Sequence, residues 1–236
     1  MQFGFLEKYV EDVIEGKNEF QLSYDLWEEF EGVSLYSIAS IFGAYDAMLK
    51  IYKEVKDLYQ NNRLKMEAIN KHKKAIEKGM LDLKEYSLKT FYDEEKRSYV
   101  RNNEDKKIDI SLIGTVIPFG MFTAKEKNIQ NTVERINMTL RTYTGGYIRY
   151  EEDRYVGGYN PWPIANLWMA CYYLEAGDKK KAVESFNFVT KSASEHGLLG
   201  EQVNNDSLKP AWIIGLTWSH AMYIIVLEKL LNEGLI

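Results

Sequence analysis

Cysteine is almost missing from this sequence: Cys171 stands alone among 236 residues. No intrachain disulfide can form, and a cysteine-cluster metal site is excluded. Long apolar runs are missing too. None approaches the roughly 18–20 residues that cross a bilayer, which argues against a membrane protein. The opening segment Met1-Gln-Phe-Gly-Phe-Leu-Glu-Lys lacks the basic region and apolar stretch of a secretory signal, so the expected location is cytoplasmic. Neither sign of charge dominates: 30 basic and 35 acidic residues are interspersed, for a net charge of −5. An electrostatic nucleic-acid surface is therefore not expected. No good metal-ligand set and no Ser-His-Asp arrangement is visible, and no cofactor is expected.

Aromatic residues are plentiful, at 14% of the chain with 17 Tyr and 5 Trp. Such abundance suits a large helical core or a sugar-binding cleft, and composition does not choose between them. The length favours one domain over residues 1–236, with roughly 70–75% of the unfolded surface buried.

The order of elements is mostly helical. Phe3, Leu6, Val10 and Ile14 fall at helical spacing before Gly16. Ser34 is placed to cap a long helix to about residue 60, with an inward stripe from Leu35 to Tyr59. Asn61-Asn62 breaks it, and a third helix is expected over about 64–83, its lysines forming a solvated face. Residues 90–101 read as a β-hairpin. Asp109 can cap a brief buried helix over 110–116, and 125–141 is a further helix. Asn160-Pro161 reads as a helix start, Gly177 as a stop, Asp178 as the next start, and a last helix runs from Trp218. These are about eight helices with small hairpins, built from antiparallel pairs. Long loops remain at 17–33, 142–160 and 197–216, and loops of such length are usually functional.

Those loops hold the polar and aromatic residues with no evident core role. Ser23-Tyr24-Asp25-Leu26-Trp27-Glu28-Glu29 sets an indole beside two carboxylates. An indole stacks on the apolar face of a sugar ring, and a neighbouring carboxyl can protonate a glycosidic oxygen. The local residues equally fit a capping-box variant, Asp25-x-x-Glu28, with Trp27 in the core. The second loop adds Arg149, Tyr150, Glu151, Glu152, Asp153, Tyr155, Tyr159, Asn160 and Trp162. The third adds Glu201, Gln202 and Trp218, with His220 more in keeping with a structural role. Separated carboxylates with stacking aromatics are the equipment of glycoside hydrolysis.

Five motifs in order, Tyr24-Asp-Leu-Trp-Glu-Glu29, Arg149-Tyr-Glu-Glu-Asp153, Gly158-Tyr-Asn-Pro-Trp162, Gly200-Glu-Gln202 and Leu216-Thr-Trp-Ser-His220, resemble glucoamylases, glycoside hydrolase family 15. The resemblance implies an (α/α)6 barrel with the active site at one end. It also implies inverting, exo-acting release of glucose from α-glucans or maltooligosaccharides, with glucodextranase and trehalase specificities sharing the framework. By resemblance Glu28 is the general acid and Glu201 the general base, with carboxyl groups roughly 6.5–9.5 Å apart. Tyr24, Asp25, Trp27, Glu29, Arg149, Glu152, Tyr155, Trp162, Gln202 and Trp218 fall at substrate-binding positions. Apolar walls such as Trp27 are expected to keep Glu28 protonated.

One departure shapes the remaining expectations. The acid of that family follows several barrel helices and an Arg-Asp pair that holds the sugar, and neither precedes Glu28 here. The sequence matches roughly the C-terminal half to two-thirds of such a domain. A barrel short of helices should expose apolar stripes, that of Leu35 to Tyr59 most of all, and favour self-association or an N-terminal partner segment. Two other readings stay open: a sugar-binding fragment without turnover, and a helical interaction scaffold. Leu174-Glu-Ala-Gly-Asp-Lys-Lys-Lys-Ala-Val183 resembles the turn of a tetratricopeptide repeat, but a single copy argues against an array.

Overall fold

The computed structural model describes residues 4–17 and 20–236. Seven α-helices are found among them: α1 (Gly4–Ile14), α2 (Leu35–Val55), α3 (Arg63–Phe91), α4 (Lys127–Thr139), α5 (Pro163–Ala176), α6 (Lys179–Lys191) and α7 (Thr217–Asn232). Three two-stranded antiparallel ladders join them: β1 (Ser23–Tyr24) with β2 (Glu31–Gly32), β3 (Tyr92–Asp93) with β4 (Ser98–Tyr99), and β5 (Gly200–Val203) with β6 (Pro210–Ile214). Short 3-10 helices occupy Lys56–Tyr59 and Ile110–Thr115.

Local chemistry sets most helix ends. The Ser34 hydroxyl accepts from the Ser37 N–H at 3.2 Å, Asn62 from Lys65 at 3.1 Å, and Asp178 from Lys181 at 3.1 Å. Each satisfies an N–H that has no partner within its own helix. Gly177, at φ 81°, closes α5 in the left-handed region, where a side chain would be strained. Two expected boundaries move. The third helix continues to Phe91, because Leu83, Ser87 and Phe91 keep its buried face in register with no breaking residue. The helix expected at Asn160-Pro161 starts at Pro163, with Trp162 at the cap.

Two packed groups make the core. In one, α2 lies against α3, and α1 packs on α3; Val10 is buried, while Phe3 and the Leu6 side chain lie outside what is described. In the other, α5 and α6 form a tight hairpin with α7 across both. The fully buried Ile110–Thr115 turn wedges between α2 and α5 and joins the groups. Ile110 and Ile113 there, and Ile108 just before it, are all but inaccessible, each contributing roughly 1.5–3 kcal/mol by burial.

The α2 stripe is not the exposed one. Leu35, Ile38, Phe42, Tyr45 and Met48 are buried and Tyr52 half-buried, because α3 covers them. Exposed apolar side chains lie on the outer faces of α2 and α3, at Ile51, Leu81 and Leu88, consecutively on β6, at Trp212, Ile213 and Ile214, and on α7, at Ile224 and Ile225. The expected loop over 197–216 is the β5–β6 hairpin. Its outward apolar residues give none of the alternation that marks a strand facing both core and water.

Candidate active site

Three consecutive residues of the turn between β1 and β2 have three different surroundings. The Asp25 carboxylate organises the turn: its Oδ1 accepts from the N–H groups of Trp27 (3.2 Å), Glu29 (3.0 Å) and Phe30 (3.4 Å). Asp25 N–H donates to the Phe30 carbonyl at 2.8 Å, and Glu28 N–H to that of Asp25 at 3.1 Å. The turn forces Glu28 to φ 59°, the left-handed region, at a cost of roughly 1–3 kcal/mol for a non-glycine residue. Trp27 consequently points inward, Glu28 out to solvent, and Glu29 back across the site. Tyr24, on β1, is exposed.

Trp27 is only 8% exposed. Its Nε1–H donates to Asp109 Oδ1 and Oδ2 at 3.2 and 3.0 Å. Its ring is surrounded by those of Trp168, Trp162 and Trp218, with centroids 5.9, 6.0 and 6.1 Å away. The indole thus serves as core at the site's floor, and the expected apolar wall around Glu28 is not formed by it. Asp109 also accepts from Ser111 N–H at 2.7 Å, as the expected cap, and faces the buried Arg101 guanidinium at 3.4 Å. Burial raises the Asp109 pKa above the usual carboxylate range, against the Ser111 bond and the Arg101 charge.

Arg149 sits at the centre. Residues 108–110 run antiparallel to 149–151, with Ile110 N–H on the Arg149 carbonyl at 2.7 Å and Glu151 N–H on that of Ile108 at 3.0 Å. The guanidinium forks onto Asp153, Nε to Oδ2 and Nη2 to Oδ1, both at 2.9 Å, and Nη2 reaches Glu29 Oε1 at 2.9 Å. The Tyr150 hydroxyl donates to the other Glu29 oxygen. The Trp162, Tyr155, Tyr150 and Trp27 rings surround the cation at 4.6, 4.8, 5.0 and 5.2 Å. Asp153, named with the second loop but not among the expected substrate-binding positions, is the carboxylate that fixes this arginine. Glu152 turns away at φ 62° and pairs with Lys107 at 3.2 Å on the outer surface.

Glu201 arrives on β5. The β5–β6 register shifts between Gly200 and Gln202, at Glu201 itself. Gly200 is required here, since a Cβ would stand 2.6 Å from the Gln202 carbonyl oxygen. Leu199 N–H donates to His220 Nε2 at 3.1 Å, while His220 Nδ1 contacts the Leu216 carbonyl at 2.9 Å. That pattern is a neutral ring protonated on Nδ1 and tying the strand to α7, a structural role. Gln202 is buried and accepts from Asn160 Nδ2 at 2.9 Å, so it too braces the strand. Glu201 Oε2 is buried with no hydrogen-bond partner among the described residues. Burial raises its pKa, and the Arg149 charge opposes the rise. The Trp218 Nε1 is likewise buried and unpaired.

Trp27, Glu29, Arg149, Tyr155, Trp162 and Trp218 are thereby one assembly, with Glu201 within the field of its arginine. Tyr24 and Glu152 stand outside it. The family model for glycosyl hydrolases family 15 matches residues 8–228. The chain belongs to that family. An uncharacterized glycosyl hydrolase of Methanocaldococcus jannaschii is 30% identical over 94% of this family 15 chain and 37% of its own length. Trehalase 2 of Sulfolobus acidocaldarius is 25% identical over 78% of the chain and 30% of its own length. The chain therefore spans about a third of the length of these relatives. The family 15 glucoamylase from Hypocrea jecorina superposes with a TM-score of 0.66 at 16% identity, over 92% of this chain and 44% of that one. That likeness assigns the helix pairs to the (α/α)6-barrel type of fold.

Proposed function

We propose that this family 15 chain carries the acid and base of an inverting, exo-acting hydrolase that releases glucose from α-glucans or maltooligosaccharides. Glu28 donates a proton to the glycosidic oxygen as the bond to the anomeric carbon breaks. Glu201 takes a proton from a water attacking that carbon from the opposite face, so the released sugar has inverted configuration. Glu201 carries the reading. A buried carboxylate oxygen without a protein partner, raised in pKa yet facing a fixed cation, suits a base poised for a water. Glu29 and Arg149 would hold hydroxyls of the bound sugar, and Trp218 would offer its ring and unpaired N–H.

Glu28 is exposed in this chain, whereas an acid that remains protonated at working pH needs desolvation. We therefore assign part of the cleft wall to a helical segment that packs on exposed apolar residues of β6 and α7, supplied by an N-terminal partner segment or a second copy. The exposure of Trp212, Ile213 and Ile224 supports this assignment. The same exposure of Glu28 favours one alternative, a sugar-binding piece without turnover.

The test is glucose release from maltotriose, isomaltose and trehalose, with the anomer of the nascent glucose read by NMR. Glu28→Gln and Glu201→Gln should each abolish release, and the first product should be β-glucose. Release of α-glucose as the first product from maltotriose, or full activity in either variant, overturns the assignment; isomaltose and trehalose also free a leaving glucose that carries the α anomer, so they report turnover only. Light scattering tests the covering segment: the chain should self-associate or bind the added segment, and a fully active monomer contradicts it.

A further inference from the structure

A cleft lies beside the Arg149 assembly, lined by the neighbouring Glu151 and Glu152. It encloses about 940 Å³, inside the roughly 300–1,000 Å³ typical of ligand sites. None of Trp27, Glu28, Arg149, Glu201 or Trp218 lines it. The left-handed backbone at Glu152 separates the two sites, because it sends this side chain outward while Arg149 and Asp153 stay inside. The apolar floor is Leu140 and Ile148, both buried and joined by the Ile148 N–H on the Leu140 carbonyl at 3.0 Å.

Two tyrosines border this floor and stay open to solvent, Tyr143 at 77% and Tyr159 at 55% exposure. Tyr143 is held in place, since its hydroxyl donates to Asp206, far along the chain. The ion pairs Lys107–Glu152 at 3.2 Å and Lys96–Glu151 at 3.4 Å add donors and acceptors to the lining. Charges balance: Lys96, Lys107 and Arg141 face Glu151, Glu152 and Asp206. An anion or a cation would gain little from such a lining. A neutral ligand rich in hydroxyl groups, with apolar ring faces for the tyrosines, satisfies all of it.

We propose that this cleft is a second, non-catalytic binding site for a neutral oligosaccharide, an α-glucan chain. The choice of α-glucan over other neutral sugars rests on the hydrolase reading above; the site itself does not. The cleft is also bolted to the base strand. Asn205 N–H donates to Asn160 Oδ1 at 3.2 Å, and Asn160 Nδ2 donates to Gln202 Oε1 at 2.9 Å, next to Glu201. A chain held by Tyr143 and Tyr159 would thus lie on the loops that carry the base.

The test is calorimetric titration of maltoheptaose into the full chain carrying Glu201→Gln, which prevents turnover. Combined Tyr143→Ala and Tyr159→Ala should weaken binding about tenfold, as loss of sugar-stacking rings does, with Tm unchanged. Lys107→Met, which breaks the Glu152 pair without touching either ring, should weaken it several-fold. Trp218→Ala should leave this binding component in place. Binding within twofold of the parent in both tests, no binding of maltoheptaose at all, or preference for an oligogalacturonate would overturn the proposal. The two readings fail separately. Tyrosine-dependent binding without turnover of any glucoside by the Glu201-bearing chain, self-associated or supplied with its covering segment, removes the hydrolase and leaves this site. Turnover with tyrosine-independent binding does the reverse.

Discussion

The Trp27 indole N–H donates to the buried Asp109 carboxylate at 3.0 Å, across 82 positions of sequence. This bond pins the turn that carries Glu28 to the buried segment that joins the two helical groups. Asp109 simultaneously serves Ser111 and Arg101, so one carboxylate fixes the floor of the site from three directions.

Asp109→Ala should therefore be costly. It leaves an indole N–H and a backbone N–H without acceptors and removes one partner of a buried arginine. Breaking a buried pair costs roughly 3–5 kcal/mol, and the remaining Arg101–Asp105 ion pair sets the lower end. Urea unfolding should give about 3 kcal/mol, accompanied by a red shift of tryptophan emission as the cluster loosens. A loss below about 1 kcal/mol would show that the turn is held by other contacts.

Glu28→Gly should do the opposite to stability. Glycine accepts φ 59° without strain, and the carboxylate has no bonding partner among the described residues. The variant should gain about 0.5–1 kcal/mol by thermal or urea unfolding while losing glucose release. A destabilised variant would mean that Glu28 is held by packing and would weaken its assignment as the acid.

Glu201→Gln gives a pH-dependent gain. The folded pKa of Glu201 is raised by burial. The stability this group contributes is hence complete below its ordinary value of about 4.3 and lost as pH rises through the higher folded value. The neutral amide escapes that loss. The Tm of the variant should equal that of the parent at the acid end and exceed it increasingly as pH rises toward neutrality. A difference that widens toward acid would contradict the direction of the shift.

The tryptophans should separate by role. Trp27→Ala opens a cavity among three other indoles and should cost roughly 3–5 kcal/mol of stability. Trp218→Ala, half-buried with a free N–H, should cost less and weaken sugar affinity by about 1–2 kcal/mol. Parallel urea unfolding and maltotriose titration distinguish them. Equal stability losses with unchanged affinity would make both of them core.

Helix starts were legible at Ser34 and Asp178, where a side chain supplies the missing acceptor, whereas Asn62 read only as a break and proves to cap α3 as well. The end of α3 was not, because the apolar spacing simply persists beyond Leu83. The start read at Asn160-Pro161 moves to Pro163, because the Trp162 N–H is still bonded to the Tyr147 carbonyl at 2.8 Å. The contributions of Trp27, Glu29 and Arg149 to one assembly were legible as motifs, but the way they meet was not. Asp109 was readable as a cap, through its bond to Ser111, yet its second task for Trp27 depends on tertiary distance alone. The same holds for Glu152 and Asp153. Adjacent acids in one motif look interchangeable until the left-handed backbone at residue 152 decides which of them faces the arginine.

Every hydrogen bond that shapes the Asp25 turn lies within residues 25–30, so its shape is portable and its address is not. Grafted onto another helical scaffold, these six residues should fold the same way and hold up the same carboxylate. Without an acceptor where Asp109 stands and a cation where Arg149 stands, nothing would aim it. Redesign of where Glu28, the proposed acid, reaches should therefore alter positions 109 and 149 and leave the turn untouched.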